Sequence, residues 1–285
     1  LFATNYIDTC SHGALGGAIY ANGGSALVTN CVFNGNYAAH PRGAAGLDVM
    51  NGGAIYFDAV PSATIVDTVF DGNYVNNIRN GVTAYSGGTI YLAGDAGVTA
   101  IARCKFLRGG VSGYATNTGT DSGAITLAAG TASVVNTLVV GMHSNAFEVA
   151  GGTLAITNVT VVGGDREPML QKGGTLSVVN SILWDNASET GVSFDIAGGT
   201  TEVSHSDVAG GFEGEGNLDA DPLLYGPTHK RAYHLKHGSP CAGAGDATVW
   251  TAADTDLDGL PRLRNGKVDL GCYSFNAPGL LLMLK

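Results

Sequence analysis

Charged residues are scarce in this chain. Asp, Glu, Lys and Arg make up 13% of its 285 residues, about half the share of roughly 25% that is usual in globular domains. Long amphipathic helices need Lys, Glu and Arg in quantity, so the composition disfavours a helical fold. The formal net charge is −10, which argues against a nucleic-acid partner because phosphates require a basic surface. No apolar run reaches about 18 residues, so no membrane-spanning helix is predicted.

Cysteine is also sparse, and its spacing excludes the common zinc sites. The chain has no CxxC pair and no His partner at zinc-finger spacing. Cys31 and Cys104 fall at the same place in a sequence repeat, two coils apart. At about 4.8 Å per coil they lie roughly 10 Å apart, too far for a disulfide. We expect both to be small buried residues of the core.

What the chain does contain is a repeat. TASVVNTLVVGM, TLAITNVTVVGG and TLSVVNSILWDN are three copies of one pattern, in which Asn136, Asn158 and Asn180 recur every 22 residues. Short β-branched runs of this period, separated by glycine-rich turns, are typical of a β-solenoid. The same pattern recurs at 25–36, 62–73, 98–109 and 200–211, which predicts about seven coils of ~22 residues.

Each coil is predicted to contain three short strands, and alternation assigns their faces. In the third strand an inward column runs from Phe2 through Phe33, Phe70, Phe106, Val139, Val161 and Leu183. The outward positions of the same strand form an apolar row: Leu138, Val140, Thr160, Val162, Ile182 and Trp184. An apolar row of this size has to be covered. Either the C-terminal segment with its tail at 278–285 folds back over it, which we favour, or a partner covers it. At the Asn position a turn is predicted, where amide side chains can form a ladder between coils.

Two boundaries follow from the repeat. Coils occupy residues 1–211, and LFATNY at 1–6 matches VFNGNY at 32–37, so the chain is expected to open partway through a coil, with the natural protein continuing upstream. After Gly211 the repeat stops. Residues 212–285, here called the cap, are expected to fold over the last coil, because the open edge of a solenoid needs protection.

Two sequence patterns carry a resemblance to known families. GGAIY followed by FNGN or FDGN resembles the repeat of chlamydial polymorphic outer-membrane proteins, and the chain as a whole resembles pectin-lyase-like proteins. In the cap, DADPL…YHLKHGSPCAGAGD…TDLDGLPR…VDLGCYSF resembles the choice-of-anchor Q domain of secreted and surface-anchored bacterial proteins. These resemblances imply an all-β, right-handed, single-stranded parallel β-helix with a C-terminal cap, located outside the cell or on the bacterial surface.

The resemblance also bears on two cysteines. Where the family reads SPA and GAY, this chain has SPC and GCY, which places Cys241 and Cys272 at framework positions. Their joint appearance predicts a disulfide that pins the cap, as is common in oxidising extracellular settings.

A row of tyrosines is the main candidate for a binding site. Tyr20, Tyr56 and Tyr91 occupy the outward position of the first strand in consecutive coils, and the row continues with Thr126, Glu148, Leu170 and Asp195. Tyrosines about 4.8 Å apart suit stacking against sugar rings. Long loops at about 37–51, 74–86 and 110–121 flank the row and add His40, Arg42, Asp48, Arg79, Tyr85, Tyr114 and Asp121. The sequence predicts a glycan-binding face formed by these residues and Glu148; alternatively, the tyrosines only pack beneath the loops.

Other functions are left open. A polysaccharide lyase would need a base and a group that neutralises the uronate, and a glycoside hydrolase would need two carboxylates about 5–10 Å apart. Glu148 and Asp195 lie about 10 Å apart, at the upper limit, and no Lys lies in the row or the long loops. Binding or adhesion is therefore favoured, with a lyase before a hydrolase as the alternative and a structural spacer as the third reading.

One motif in the cap resembles a calcium loop. Asp254, Asp256 and Asp258 followed by Gly259 match its opening, but Asn265 stands where an EF-hand requires Glu. A structural Ca²⁺ held by these carboxylates, with Asp269 or a carbonyl, is one interpretation. The other is a polar turn in which Arg262 or Arg264 pairs with the carboxylates. No other cofactor is predicted.

Overall fold

The fold is all-β and consists of long parallel sheets of short stacked strands, as expected for a parallel β-helix. The computed structural model describes residues 1–8, 14–39, 50–77, 87–94, 97–113, 122–188 and 191–275. Its three main sheets, called sheets 1, 2 and 3, correspond to the three strands of the repeat.

Every neighbouring pair of strands in these sheets is parallel. Sheet 1 consists of Ile19–Asn22, Ile55–Asp58, Ile90–Leu92, Ser122–Leu127, Asn145–Val149, Met169–Gln171 and Phe194–Ile196. Sheet 2 consists of Ser25–Thr29, Ser62–Val66, Val98–Ala102, Thr131–Val135, Thr153–Thr157, Thr175–Val179 and Thr200–Ser204. Sheet 3 consists of Phe2–Ala3, Val32–Asn34, Val69–Asp71, Lys105–Leu107, Leu138–Val140, Thr160–Val162, Ile182–Trp184 and Asp207–Val208.

Smaller elements occupy the first part of the chain and the cap. A further parallel sheet contains Tyr6–Asp8, Tyr37–Ala39, Tyr74–Asn77 and Gly110–Gly113, and Ala14–Leu15 pairs with Met50–Asn51. The helical segment of the described residues is the short 3₁₀ turn Ala247–Val249. Within the described ranges, no helix is long and apolar enough to cross a membrane.

The inward column of sheet 3 confirms the predicted core. The rings of Phe2 and Phe33 stack at 4.6 Å between centroids, those of Phe33 and Phe70 at 4.9 Å, and those of Phe70 and Phe106 at 4.8 Å. These spacings match the distance between neighbouring strands, about 4.8 Å, because each coil contributes one ring. Cys104 is buried in the same core, as predicted, whereas Cys31 is only half-buried.

The Asn position is a left-handed turn throughout. Asn136, Asn158 and Asn180 have φ between 48° and 54°, and Asp67, Arg103 and His205 adopt the same conformation at the equivalent places. Asn tolerates this region better than most residues, which explains its recurrence there. The guanidinium of Arg103 donates two hydrogen bonds to the carboxylate of Asp67, at the equivalent place of the preceding coil, with Nε–Oδ1 at 2.7 Å and Nη2–Oδ2 at 2.8 Å.

The predicted amide ladder lies elsewhere. Asn36 Nδ2 donates to Asn73 Oδ1 at 2.8 Å, and Asn5 Nδ2 donates to Asn36 Oδ1 at 2.8 Å. At the predicted position the amides bind the cap instead: Asn136 Nδ2 donates to Thr255 O, Asn158 Nδ2 to Asp269 O and Asn180 Nδ2 to Asp246 O. The ladder prediction was therefore wrong for that row, because a neighbouring segment satisfies its side chains.

The cap contacts both the end and the side of the coils. At the last strands, Val208 N donates to Leu218 O at 2.9 Å and His205 N to Glu215 O at 2.7 Å. Further along, the cap covers the outward row of sheet 3. One cluster joins Ile182 to Leu235, Cys241 and Leu270, and another joins Leu138 to Cys272 and Tyr273. Residues 276–285 lie outside the described part of the chain.

The predicted disulfide is not formed. Cys241 and Cys272 are both free and fully buried, in different clusters. The Cys241 thiol donates to Asp207 Oδ2 at 3.0 Å, and Leu270 N, not a group of Cys272, donates to the Cys241 carbonyl at 3.0 Å. Cys272 N donates to Thr160 Oγ1 at 3.0 Å. Both cysteines thus fill the interface between the cap and the coils as separate thiols.

Candidate functional site

Sheet 1 carries the tyrosine row in the predicted register. Tyr20 pairs with Tyr56 and Tyr56 with Tyr91, and the row continues through Thr126, Glu148, Leu170 and Asp195. The rings of Tyr20 and Tyr56 lie 5.6 Å apart at an angle of 13°, and those of Tyr56 and Tyr91 lie 5.2 Å apart at 2°. We call Tyr20, Tyr56 and Tyr91 the tyrosine strip.

The face-to-face stacking of the three rings limits how a ligand can contact the tyrosine strip. Because the rings lie face to face, each ring covers the face of the next one. A sugar ring therefore cannot insert between them and would meet ring edges and hydroxyl groups instead. Tyr20 is the most accessible of the three, at 50% exposure, and it ends the stack. This differs from the predicted face-on stacking of sugars on a flat aromatic surface.

The central hydroxyl group of the strip, that of Tyr56, is a protonated donor. Burial, aided by Tyr91, Asp58 and Tyr20, raises the pKa of Tyr56 to about 12. Beside the strip, Asn22 Nδ2 donates to Asp58 Oδ2 at 3.1 Å and makes a long contact of 3.4 Å with Tyr20 Oη. Sequence reasoning missed Asn22 and Asp58, although they stand two residues after Tyr20 and Tyr56 and so share their face.

Glu148 stands in the same row as the tyrosines, but its side chain is buried. Its side chain is 2% exposed and contacts Lys172 Nζ at 2.5 Å and Thr126 Oγ1 at 3.4 Å. A carboxylate so enclosed cannot contact a ligand on the surface, so the predicted role of Glu148 is not supported. Lys172 was missed because it stands in a turn, outside the alternating pattern of the strands.

The carboxylate pair considered for a hydrolase is not assembled. Glu148 and Asp195 lie two strands apart in sheet 1, but Glu148 is buried against Lys172 while Asp195 is exposed. General acid and base catalysis needs both carboxyl groups to face one substrate. These two groups do not.

The predicted walls of the groove are formed by residues of the three long loops. Arg42, Asp48, Arg79, Tyr85 and Asp121 lie outside the described residues, as do His40 and Tyr114. Their contribution to a ligand site stays a prediction.

The aspartates of the calcium-like motif do not converge on one centre. Asp254 Oδ2 accepts from Thr251 N and Oγ1, both at 2.7 Å. Asp256 is fully buried and accepts from three backbone N–H groups, those of Asp258, Leu260 and Ser274. Asp258 Oδ2 lies 2.8 Å from His234 Nε2. Among the residues described, no group of three or more His, Cys, Asp or Glu side chains is arranged to hold a metal ion, which corrects the calcium prediction.

The alternative interpretation of that motif is also corrected. Arg262 donates from Nε to Asn136 Oδ1 at 2.7 Å and from Nη2 to Gly271 O at 2.8 Å, and Arg264 Nη1 donates to Phe275 O at 2.8 Å. The carboxylate of Asp269 accepts from Gly243 N and Phe275 N. The motif is thus a turn whose carboxylates are held by backbone N–H groups and by the side chains of Thr251 and His234.

Comparison with known proteins adds no further assignment. Neither family models nor curated proteins nor solved structures gave a match to this chain. The resemblance to pectin-lyase-like and outer-membrane repeat proteins therefore stays a prediction drawn from the motifs.

Proposed function

We propose that this chain is a binding module of a secreted or cell-surface bacterial protein, and that the tyrosine strip contacts an extended glycan. The observation that carries the proposal is the stacking of Tyr20, Tyr56 and Tyr91, one residue from each successive strand of sheet 1. Ring edges and hydroxyl groups repeating about every 5 Å suit a ligand that is itself extended and repetitive.

The chemistry of the strip favours a ligand rich in hydroxyl groups. Tyrosine hydroxyls both donate and accept hydrogen bonds, and the raised pKa of Tyr56 keeps its proton in place. Asn22 and Asp58 add an amide and a carboxylate at the border of the strip. A polysaccharide supplies the matching donors and acceptors together with apolar C–H groups for the ring edges.

The proposed architecture is a right-handed parallel β-helix of about seven coils. The long parallel sheets and the 22-residue period support it. In this arrangement the first coils carry both the strip and the long loops, and insertions on one side of a repeat protein often mark its binding face. An adhesin-like role at the cell surface fits such a face.

Retention on immobilised glycans tests the proposal. The protein would be passed over a panel of neutral and acidic polysaccharides, and the soluble fraction assayed for new reducing ends and unsaturated products. We expect retention without product. Tyr56→Ala, which removes the central ring, should abolish retention, and Tyr56→Phe, which removes only the hydroxyl, should weaken it.

Tyr74→Phe is the matched control, because Tyr74 stacks on Tyr37 at 5.1 Å in a different sheet. It should bind like the unmodified protein. Unchanged retention of Tyr56→Ala, or no retention on any glycan, would show that the strip is not a binding site. Release of product would point to an enzyme instead.

A further inference from the structure

A separate cleft lies where the cap meets sheet 3. It encloses about 290 Å³ and is lined by Val162 and Trp184 of the coils and by Pro222, Tyr225 and Tyr233 of the cap. Val162 and Trp184 are in register on neighbouring strands and form an apolar floor. A volume at the small end of ligand pockets, about 300 Å³, suits a single ring rather than a long chain.

The aromatic walls of the cleft are held in place by the backbone. Tyr225 N donates to His234 O at 2.9 Å, and Tyr233 N donates to Tyr225 O at 2.8 Å. Tyr233 has φ of 65°, a left-handed conformation that is unfavourable for a bulky side chain. Strained residues of this kind cluster at functional sites, and here the strained residue lines the cleft.

Two carboxylates stand at the edge of the cleft. Asp185 and Asp221 both line it and both are exposed. Asp221 Oδ1 accepts a hydrogen bond from Leu223 N at 2.8 Å, which orients that carboxylate. Ionised carboxylates accept hydrogen bonds but cannot donate them. The ligand must therefore supply donors, and an anionic ligand would be repelled.

The surrounding cations argue against selection of a positively charged ligand. Arg231 and Lys236 lie 5.9 Å and 5.8 Å from the centre of the Tyr225 ring. Both cations lie beside the Tyr225 wall of the cleft and would repel a positively charged ligand there. A neutral ring with hydroxyl donors on its rim and apolar C–H groups on its face fits both the walls and the charge.

We propose that this cleft binds one neutral pyranose unit. The site lies on sheet 3, whereas the tyrosine strip lies on sheet 1, so the inference does not rest on the proposed function. Trp184 would contact the apolar face of the sugar, and the edge of the Tyr225 ring, which stacks on His229 at 4.1 Å between centroids, would border it. Asp185 and Asp221 would accept hydrogen bonds from the hydroxyl groups of the sugar.

The fluorescence of Trp184 reports on the cleft directly. Trp184 and Trp250 are the two tryptophans of the chain, and Trp250 lies elsewhere, donating from Nε1 to Asn158 Oδ1. In the Trp250→Phe variant, Trp184 is the sole tryptophan. Methyl glucoside, methyl mannoside, methyl galactoside and glucuronate would be titrated into the full chain at millimolar concentrations. At least one neutral glycoside should change the emission, and glucuronate should bind at least about tenfold more weakly.

Conservative variants separate binding from folding. Asp185→Asn and Asp221→Asn keep the shape of each side chain, and Asn tolerates the φ of 52° at position 185. Each should weaken sugar binding by roughly tenfold, because a charged acceptor is lost. Asp219→Asn is the matched control: it makes the same change on an exposed residue of the same segment that does not line the cleft.

Several results would overturn this inference. One is that no neutral glycoside changes the emission of Trp184; another is that glucuronate binds as well as the neutral sugars. Equal affinities for the Asp185→Asn, Asp221→Asn and Asp219→Asn variants would place the sugar elsewhere. Tyr56→Ala should leave this titration unchanged, so a failure of the tyrosine strip and a failure of the cleft are told apart.

Discussion

Arg262 donates a 2.7 Å hydrogen bond from Nε to the side-chain oxygen of Asn136, which stands 126 positions earlier in the chain. The arginine is only 1% exposed. Its second hydrogen bond, from Nη2 to Gly271 O, ties the same side chain to the cap itself. A buried guanidinium thus joins the cap to the turn of a coil, and four experiments test this interface.

Replacing Arg262 should loosen the cap. Arg262→Ala removes both hydrogen bonds, leaves Asn136 Oδ1 without this donor, and opens a cavity, so we expect a loss of about 3 kcal/mol or more. Arg264→Ala is the control, because Arg264 is partly exposed and makes one hydrogen bond to Phe275 O; it should cost about 1 kcal/mol or less. Urea unfolding measures both. Equal losses would mean that Arg262 does not anchor the cap.

The Asn turns allow a backbone effect to be separated from a side-chain effect. Asn30 and Asn158 have φ of 51° and 52° at the same place in the repeat, but only Asn158 contacts the cap, through Asp269 O, Gly271 O and Trp250. Glycine accepts this conformation without strain. Asn30→Gly should therefore change the free energy of unfolding by less than about 0.5 kcal/mol, and Asn158→Gly should lower it by roughly 2–4 kcal/mol. A similar effect at both positions would contradict the docking of the cap on the Asn row.

Asp207 should make stability depend on pH. Burial raises the pKa of this carboxyl, while hydrogen bonds from Cys241 and Ala220 oppose the shift. Because the folded pKa lies above the unfolded value of about 3.9, the folded state binds more protons in that interval, and stability falls as pH rises through it. In Asp207→Asn this fall should disappear. Unfolding by urea between about pH 4 and pH 7 would show it, and Asp195→Asn, the same change on an exposed residue of sheet 1, should keep the slope of the parent protein.

The cysteines of the interface should behave as inert thiols. Burial raises the pKa of Cys272 to about 12 and also raises the pKa of Cys241, and the thiolate is the reactive form. Neither should react with iodoacetamide in the folded protein, whereas the half-buried Cys31 should react. After unfolding without reductant, peptide mapping should find both Cys241 and Cys272 alkylated. If both stay unmodified in the unfolded chain, the disulfide that the sequence suggested does form.

The sequence alone predicted which residues line up on each face of the coils. It did not predict which partners their side chains contact. Alternation within a recurring strand pattern assigns every residue of a strand to one face, so the column of Phe33 and Phe70 and the row of Tyr20 and Tyr56 could be predicted. The burial of Glu148 could not, because it depends on Lys172 in a neighbouring turn. Whether an amide such as Asn158 bonds the next coil or the cap depends on a contact with residues more than 100 positions away.

At the candidate sites, too, the positions of residues could be predicted but their partners could not. The spacing of Asp254, Asp256 and Asp258 suggests a cation loop, but each carboxylate finds a different partner nearby, and sequence alone gives no measure of that competition. The cleft at Trp184 was not predicted, because its walls come from Tyr225 and Tyr233 of the cap. The sequence predicted only that the outward apolar row of sheet 3 would be covered.

The contacts of the cap fix the number of coils that lie beneath it. Thr255, Asp269 and Asp246 each meet the Asn of one coil, and those three turns are 22 residues apart. Inserting or deleting a coil between Asn136 and Asn180 would shift these contacts by one strand spacing, about 4.8 Å, and break them. Coils before Asn136 lie outside these three contacts. The protein can therefore lengthen by duplication toward its first coils, while the number of coils beneath the cap stays fixed.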